Sequence, residues 1–322
     1  MQRRHVVLAC AALLGLNLLA PAALAQNWPS RPIKLIVSFP PGGLIDNMAR
    51  LIAPRLAQEL GQPIVVENRA GANGQIGTEL VAKSEPDGAT LLLTSVGVAY
   101  RQHLVPLPYD PFRDLAPVSL LVINPLLIVV NPALPVTNLK ELVEYGRKRG
   151  LRYGSSGIGG PSHLTTELLR LKTGIDMTHV PYKGDSAAIL DVMAGNVDMS
   201  VSSVSATAGF IKSGRLRAIA MTSEARSSAL PDVPTTAEAG FPGVVGDSWV
   251  GILAPAGTPA APLQRPHKAA GAAMGDPVVR EKLIAAGNTV VANSPEQFAA
   301  FLRSESDKWG EVIRSSNITV EK

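Results

Sequence analysis

Four times along the chain, a short aliphatic run passes through a glycine-bearing stretch into a segment with helical spacing. Ile33–Ser38 leads through Pro40-Pro41-Gly42-Gly43 into Ile45–Leu60, where Met48, Leu51, Ile52, Leu56 and Leu60 recur on one helical face. Pro63–Glu67 leads through Arg69–Gly77 into a helix near Gly77–Ser84. Leu151–Gly154 leads through a Ser/Gly stretch into Ser162–Lys172, and Thr178–Val180 leads through Tyr182–Asp185 into Ser186–Ala194. Strand–loop–helix order repeated this way predicts parallel strands covered by helices, because parallel neighbours need a long crossover between them.

Further runs fit the same scheme. Thr90–Thr94, Ser119–Ile123, Leu126–Val130, Val197–Val201, Leu216–Thr222 and Trp249–Ala254 read as strands. Leu139–Arg149 reads as a helix entered through Asn138 and Glu141, and Ala206–Ser213 as another. The C-terminal part is helical: Ala269–Met274, Pro277–Ala286 and Pro295–Ser315, the last opened by Ser294, Pro295 and Gln297. Pro266 is expected to delay the start of the first of these helices or to kink it. With 322 residues, two α/β units are expected. They are residues 26–123 with 249–322, and residues 124–248, joined by two extended crossings that make a hinge.

Residues 1–25 stand apart. Arg3 and Arg4 precede an apolar run that ends in Ala23-Leu24-Ala25, the layout of a secretory signal peptide cleaved after Ala25. The small-residue exit favours cleavage over a retained membrane anchor, and the residues around Arg3-Arg4 do not support twin-arginine export. Cleavage removes Cys10, the only cysteine, so thiol nucleophiles, Cys-bound zinc and iron–sulfur clusters are excluded from the exported protein. A second uncharged stretch between Asp114 and Lys140 is cut by Pro117, Pro125, Pro132 and Pro135 into strand-length pieces, not a membrane span. A formal charge of +4 and 4% aromatic residues give no surface for nucleic acid.

The chemistry-bearing motifs lie at the strand–helix junctions. Pro41, Gly42 and Gly43 let the backbone approach a ligand at a helix start whose free amides make an anion site without Arg or Lys, with Asp46 as a loop brace. Asn68–Gly77 has the spacing G-x-x-G-x-x-G, not the G-x-G-x-x-G of a dinucleotide site. Ser155, Ser156, Gly157, Ser162 and His163 gather hydroxyls and amides at a second helix start, so two helix ends can grip one carboxylate. Ser156 and His163 also allow a hydrolase reading, but the G-x-S-x-G elbow is missing. Tyr182 is a candidate cleft residue. His103, His163, His179 and His267 show no metal-ligand spacing, and neither metal nor cofactor is expected.

Taken in order, PPGGxxDxxAR (Pro40–Arg50), ENRAGANGQIG (Glu67–Gly77), EPDGATLLLTS (Glu85–Ser95), YGSSGIGGPSHL (Tyr153–Leu164), HVPYKGDSAAILDVMAGNVDM (His179–Met199) and WVGILAPAGTP (Trp249–Pro259) resemble the Bug-type family. These are the periplasmic substrate-binding proteins of tripartite tricarboxylate transporters. The resemblance implies a type II periplasmic-binding-protein fold, and a monomeric receptor that closes on a small carboxylate and passes it to membrane permease subunits without chemistry. It also implies that the Pro41–Asp46 and Ser155–His163 loops hold the carboxylate, while Thr94, Ser95, Ser202 and Ser203 read the other end. Two departures, Ile45 before the aspartate and Val96-Gly97-Val98 after the third strand, make the distal pocket more apolar. They favour a monocarboxylate with an apolar or aromatic tail over citrate. A sensor subunit with the same ligand site is indistinguishable at this level.

Overall fold

A computed structural model of the protein describes residues 28–320, so the expected signal peptide lies outside the described residues. The chain opens with β1 (Ile33–Val37), α1 (Leu44–Leu60), β2 (Ile64–Asn68), α2 (Gln75–Ala82), β3 (Thr90–Ser95) and the short α3 (Gly97–Tyr100). β4 (Leu115–Asn124) and β5 (Leu126–Val130) follow, with only Pro125 between them. Then come α4 (Leu139–Arg149), β6 (Leu151–Ser155), α5 (Pro161–Thr173), β7 (Met177–Pro181), α6 (Asp185–Ala194), β8 (Met199–Ser203), α7 (Val204–Lys212) and β9 (Arg217–Met221). The last part holds β10 (Ser248–Pro255), α8 (Ala260–Gly275), α9 (Pro277–Ala285), the two-residue β11 (Thr289–Val290) and α10 (Pro295–Ser315).

These strands form two sheets, ordered β11-β4-β10-β3-β1-β2 and β7-β6-β8-β5-β9. The predicted βαβ units are parallel: β1 pairs with β2 and β3, and β6 with β7 and β8. Neither sheet is parallel throughout, which corrects the sequence-based expectation. β10 runs antiparallel to β3 and β4, and β5 runs antiparallel to β8 and β9. The reason lies in the crossings: β4 passes through Pro125 straight into β5 of the other sheet, and β10 brings the chain back, so both enter against the local strand direction.

Alternation along the strands builds a core on each face of each sheet. Leu91 and Leu93 point into one apolar cluster of the first sheet and Leu92 into the other. Leu126, Ile128 and Val130 face one side of the second sheet, Leu127 and Val129 the opposite side. α10 is opened by the expected capping box, Ser294 with Gln297, and packs on β4 and α3 while also touching α5. Arg170 of α5 donates to Ser316 Oγ at 3.3 Å just beyond its end.

Pro266 does not start a helix. α8 runs continuously from Ala260 through it. A proline two turns in removes one amide, whose acceptor would be the carbonyl of Pro262, and Ala269, Ala270 and Ala273 bury their faces in the core beyond it. Among the described residues, no helix is long and apolar enough to cross a membrane.

Candidate functional site: a cleft between the two sheets

Two adjoining chambers of about 230 and 160 Å3 share Ser156 and Pro161 in their walls. The first is completed by Leu44 at the start of α1, by Asn124, Leu126 and Ser248 of the crossing strands, and by Ser162, Asp185, Val201, Ser203 and Ser205. The second is completed by Phe39, Asn73, Ser95, Val96, Gly97, Tyr100 and Arg101 from the first-sheet side and by Gly157–Gly160 from the second. Each chamber is therefore walled by loops from both sheets.

The helix starts at these chambers lack side-chain caps. α1 is entered through Gly43 and α5 through Gly160, both in extended conformation. Neither glycine offers a side-chain acceptor, so first-turn amides of both helices stay available to an outside oxygen. α6 and α7 likewise lack a side-chain cap. Elsewhere α4, α9 and α10 are capped by Asn138, Asp276 and Ser294, although α2, α3 and α8 are not capped this way.

The loops are held from beneath. Asp46, 2% exposed, accepts from the Gly42 amide at 2.9 Å, from Arg50 Nε at 3.0 Å and from Asn68 Nδ2 at 2.9 Å. The Arg50 hydrogen bond, followed by the Gly42 amide, lowers its pKa to about 2 against the penalty of burial. On the other side Ser162 Oγ accepts from the Ser156 amide at 2.9 Å, and His163 Nδ1 accepts from the Gly159 amide at 3.0 Å. That bond requires an unprotonated Nδ1, so the neutral His163 ring carries its proton on Nε2. Burial, then the charge of His179, depresses the His163 pKa to about 4, and burial also lowers that of His179. Gly157 turns the loop at a φ of 134°, a region closed to side-chain-bearing residues.

Of the predicted residues, Ser95, Ser156, Gly157, Ser162 and Ser203 line the chambers. Pro41, Gly42 and Gly43 sit exposed beside Leu44 and line neither chamber. Others face inward. Thr94 Oγ1 accepts from Ser38 Oγ at 2.8 Å, Ser155 Oγ lies 2.6 Å from His179 Nε2, and Ser202 Oγ shares a hydrogen bond of 3.0 Å with Ser200. Asp46 and His163 brace their loops rather than line a chamber. Tyr182 is the clear departure: its hydroxyl donates to Asp191 Oδ2 at 2.5 Å along α6, and its ring lies against Gly154 instead of the cleft. The hydrolase reading also fails on geometry, since Ser156 Oγ pairs with Ser162 Oγ at 2.9 Å and His163 Nδ1 is taken by Gly159.

Sequence reasoning passed over Phe39, Asn73, Arg101, Asn124, Asp185, Ser205 and Ser248. Asn73 and Asp185 lay inside the motifs already singled out, and Phe39 directly before one of them. Arg101 had no local signal: a lone cation after a short helix reads as surface, yet it lines the second chamber, and among the described residues its buried Nε has no acceptor. Burial pushes the Asp185 carboxyl up, with Ser156 beside it pulling the other way. Among the described residues, no cluster of three His, Cys, Asp or Glu is placed to hold a metal.

A family model described as the tripartite tricarboxylate transporter family receptor, TctC, matches residues 48–318. The chain belongs to this family. It is 39% identical over 303 residues to protein BugT of Bordetella pertussis, spanning 92% of this chain and 93% of that one. Among solved TctC-like structures, R. palustris Rpa4515 with adipate superimposes at a TM-score of 0.77 with 35% identity, covering 91% of this chain and 99% of that one. MatC from Rhodopseudomonas palustris with bound malate gives 0.74 at 31% identity, covering 89% and 100%. The ordered motifs thus identified the family, and the fold is that of the type II periplasmic binding proteins. TctC proteins are periplasmic solute-binding receptors, not enzymes.

Proposed function

We propose that the protein, exported and cleaved after Ala25, acts as a monomeric receptor that captures a small organic carboxylate and delivers it to the permease subunits of a tripartite transporter. Its two lobes are residues 26–123 with 249–322, and residues 124–248. The observation that carries this reading is the sharing of both chambers by loops from the two sheets. A ligand lodged there touches both lobes, so binding and closure are coupled.

The carboxylate is read as lying between the uncapped starts of α1 and α5, with hydroxyls from Ser156 and Ser162. Asp185, held toward its neutral acid by burial, donates to a carboxylate more readily than an ordinary aspartate would. The second chamber combines Phe39, Val96, Tyr100 and Ile158 with Arg101. That combination modifies the apolar-tailed monocarboxylate expected from Ile45 and Val96–Val98. It favours a dicarboxylate with an apolar middle, its far carboxylate against Arg101. The adipate and malate held by the two R. palustris relatives support the same class.

Thermal-shift and calorimetric titration with adipate, citrate and benzoate test this. A ligand that binds only the folded state raises its stability. Adipate is expected to raise the melting temperature most. Failure of every small carboxylate to stabilise the protein overturns the receptor reading, and a preference for benzoate overturns the dicarboxylate.

A further inference from the structure

A larger cavity, about 590 Å3, lies on the opposite side of the crossing strands from the cleft. Asn124, Leu126 and Ser248 line the cleft, whereas Ile123, Pro125, Asp247 and Trp249 line this second cavity. Successive residues of an extended chain point to opposite faces, so the two spaces are separate although one pair of strands walls both.

The walls are mainly apolar, with Leu120, Ile123, Val245, Val291 and Phe301 among them, and the charged groups that face the cavity are Glu224, Asp247, Glu305 and Lys308. Glu305 is already satisfied. It accepts from the indole N–H of Trp249 at 3.2 Å and of Trp309 at 3.0 Å, and it pairs with Lys308. Lys308 is spent on that pair and on the face of Trp309. Asp247 accepts only a long hydrogen bond, 3.4 Å, from the Leu126 amide, and among the described residues no salt bridge reaches Asp247 or Glu224. The group left unmatched among the apolar walls is therefore a carboxyl, that of Asp247.

We propose that this cavity is a second binding site, which takes a small amphipathic cation: an ammonium group against Asp247, with an aromatic or aliphatic body on the Ile123, Val245 and Phe301 walls. Burial pushes the Asp247 carboxyl up to about 8, so the cavity without a cation holds largely the neutral acid at pH 7. A cation draws the proton off, and its binding strengthens as pH rises. The Leu126 amide and Lys308 pull this pKa down, while Glu305 and Glu224 push it up.

Benzyltrimethylammonium, whose charge is fixed, is the probe, and neopentylbenzene is its uncharged counterpart. Calorimetry on the full chain is expected to show saturable binding of the cation that tightens from pH 6 to pH 9 and is at least about tenfold stronger than for the uncharged compound. Asp247→Asn removes both the preference and the pH dependence. Ser304→Trp, which fills the cavity from the exposed face of α10, abolishes binding while leaving Asp247 in place; melting curves report whether each variant folds. Saturation by neopentylbenzene with equal affinity, no saturable binding by the cation, or wild-type binding in folded Ser304→Trp would each overturn the proposal.

Discussion

The imidazole rings of His163 and His179 lie face to face, with centroids 3.8 Å apart and planes 10° from parallel. His163 holds the Gly159 amide and His179 contacts Ser155, so the stacked pair fixes both ends of the Ser155–Gly160 loop.

Acid should therefore weaken this loop first. The folded pKa of His163, about 4, lies below its ordinary 6.5, so between these values the unfolded chain binds the extra proton. The stabilisation is complete above 6.5 and is lost as pH falls toward 4, amounting to roughly 3 kcal/mol for this one group. Urea midpoints measured from pH 7 to 4 should fall more steeply in the wild type than in His163→Asn, which keeps an acceptor for Gly159 but no titrating ring. Parallel profiles would contradict the assignment.

Asp46 acts in a lower window. Its pKa is depressed from 3.8 to about 2, so its contribution is present above 3.8 and disappears on further acidification toward 2. Asp46→Ala leaves the Gly42 amide and Arg50 without their acceptor. It should cost about 1–3 kcal/mol and loosen the start of α1, read as a lower melting temperature and weaker carboxylate binding.

Gly43→Ser sets stability against binding. Gly43 has a φ of −76° that any residue adopts, and a Cβ there meets only the Pro40 carbonyl, at 3.4 Å. A serine would cap the α1 amides and raise stability by a few tenths of a kcal/mol. It should lower adipate affinity by about tenfold, because the cap competes for the same donors. Raised stability with unchanged affinity would show that the α1 start does not touch the ligand.

Arg101→Met should separate the two ends of the ligand. Adipate binding is expected to weaken at least about tenfold, while hexanoate, of the same length with one carboxylate, is little affected. Equal losses for both acids would mean that Arg101 shapes the chamber rather than reading a second carboxylate.

Gly77→Ala tests how the second Gly-rich junction is packed. A Cβ at this position would lie 2.8 Å from the Arg69 carbonyl and 2.9 Å from Ser38 Cα, both backbone atoms. α2 must move away from β1, at a cost of about 1–3 kcal/mol in urea unfolding. The Ser38–Thr94 pair beside the cleft should shift with it.

Much of this arrangement was legible in the sequence, because it depends on local patterns. The period of Met48, Ile52, Leu56 and Leu60 specifies α1, Ser294 with Gln297 starts α10, and the glycines at each junction mark where helices begin without a side-chain cap. These features act through nearest neighbours along the chain, and their order identified the family. Direction and pairing needed the tertiary structure. Pro125 reads as a break between two strands at the boundary of the two units, but nothing local says that β5 beyond it runs against the other strands of its sheet. Whether a hydroxyl faces ligand or protein depends on partners far along the chain: Thr94 turns to Ser38 and Ser155 to His179. Arg101 shows the same limit, since its neighbours in sequence mark it as surface and only the approach of the Gly157–Gly160 loop from the other sheet makes it part of a chamber. Sequence spacing sets which residues share a face; long-range packing sets what that face meets.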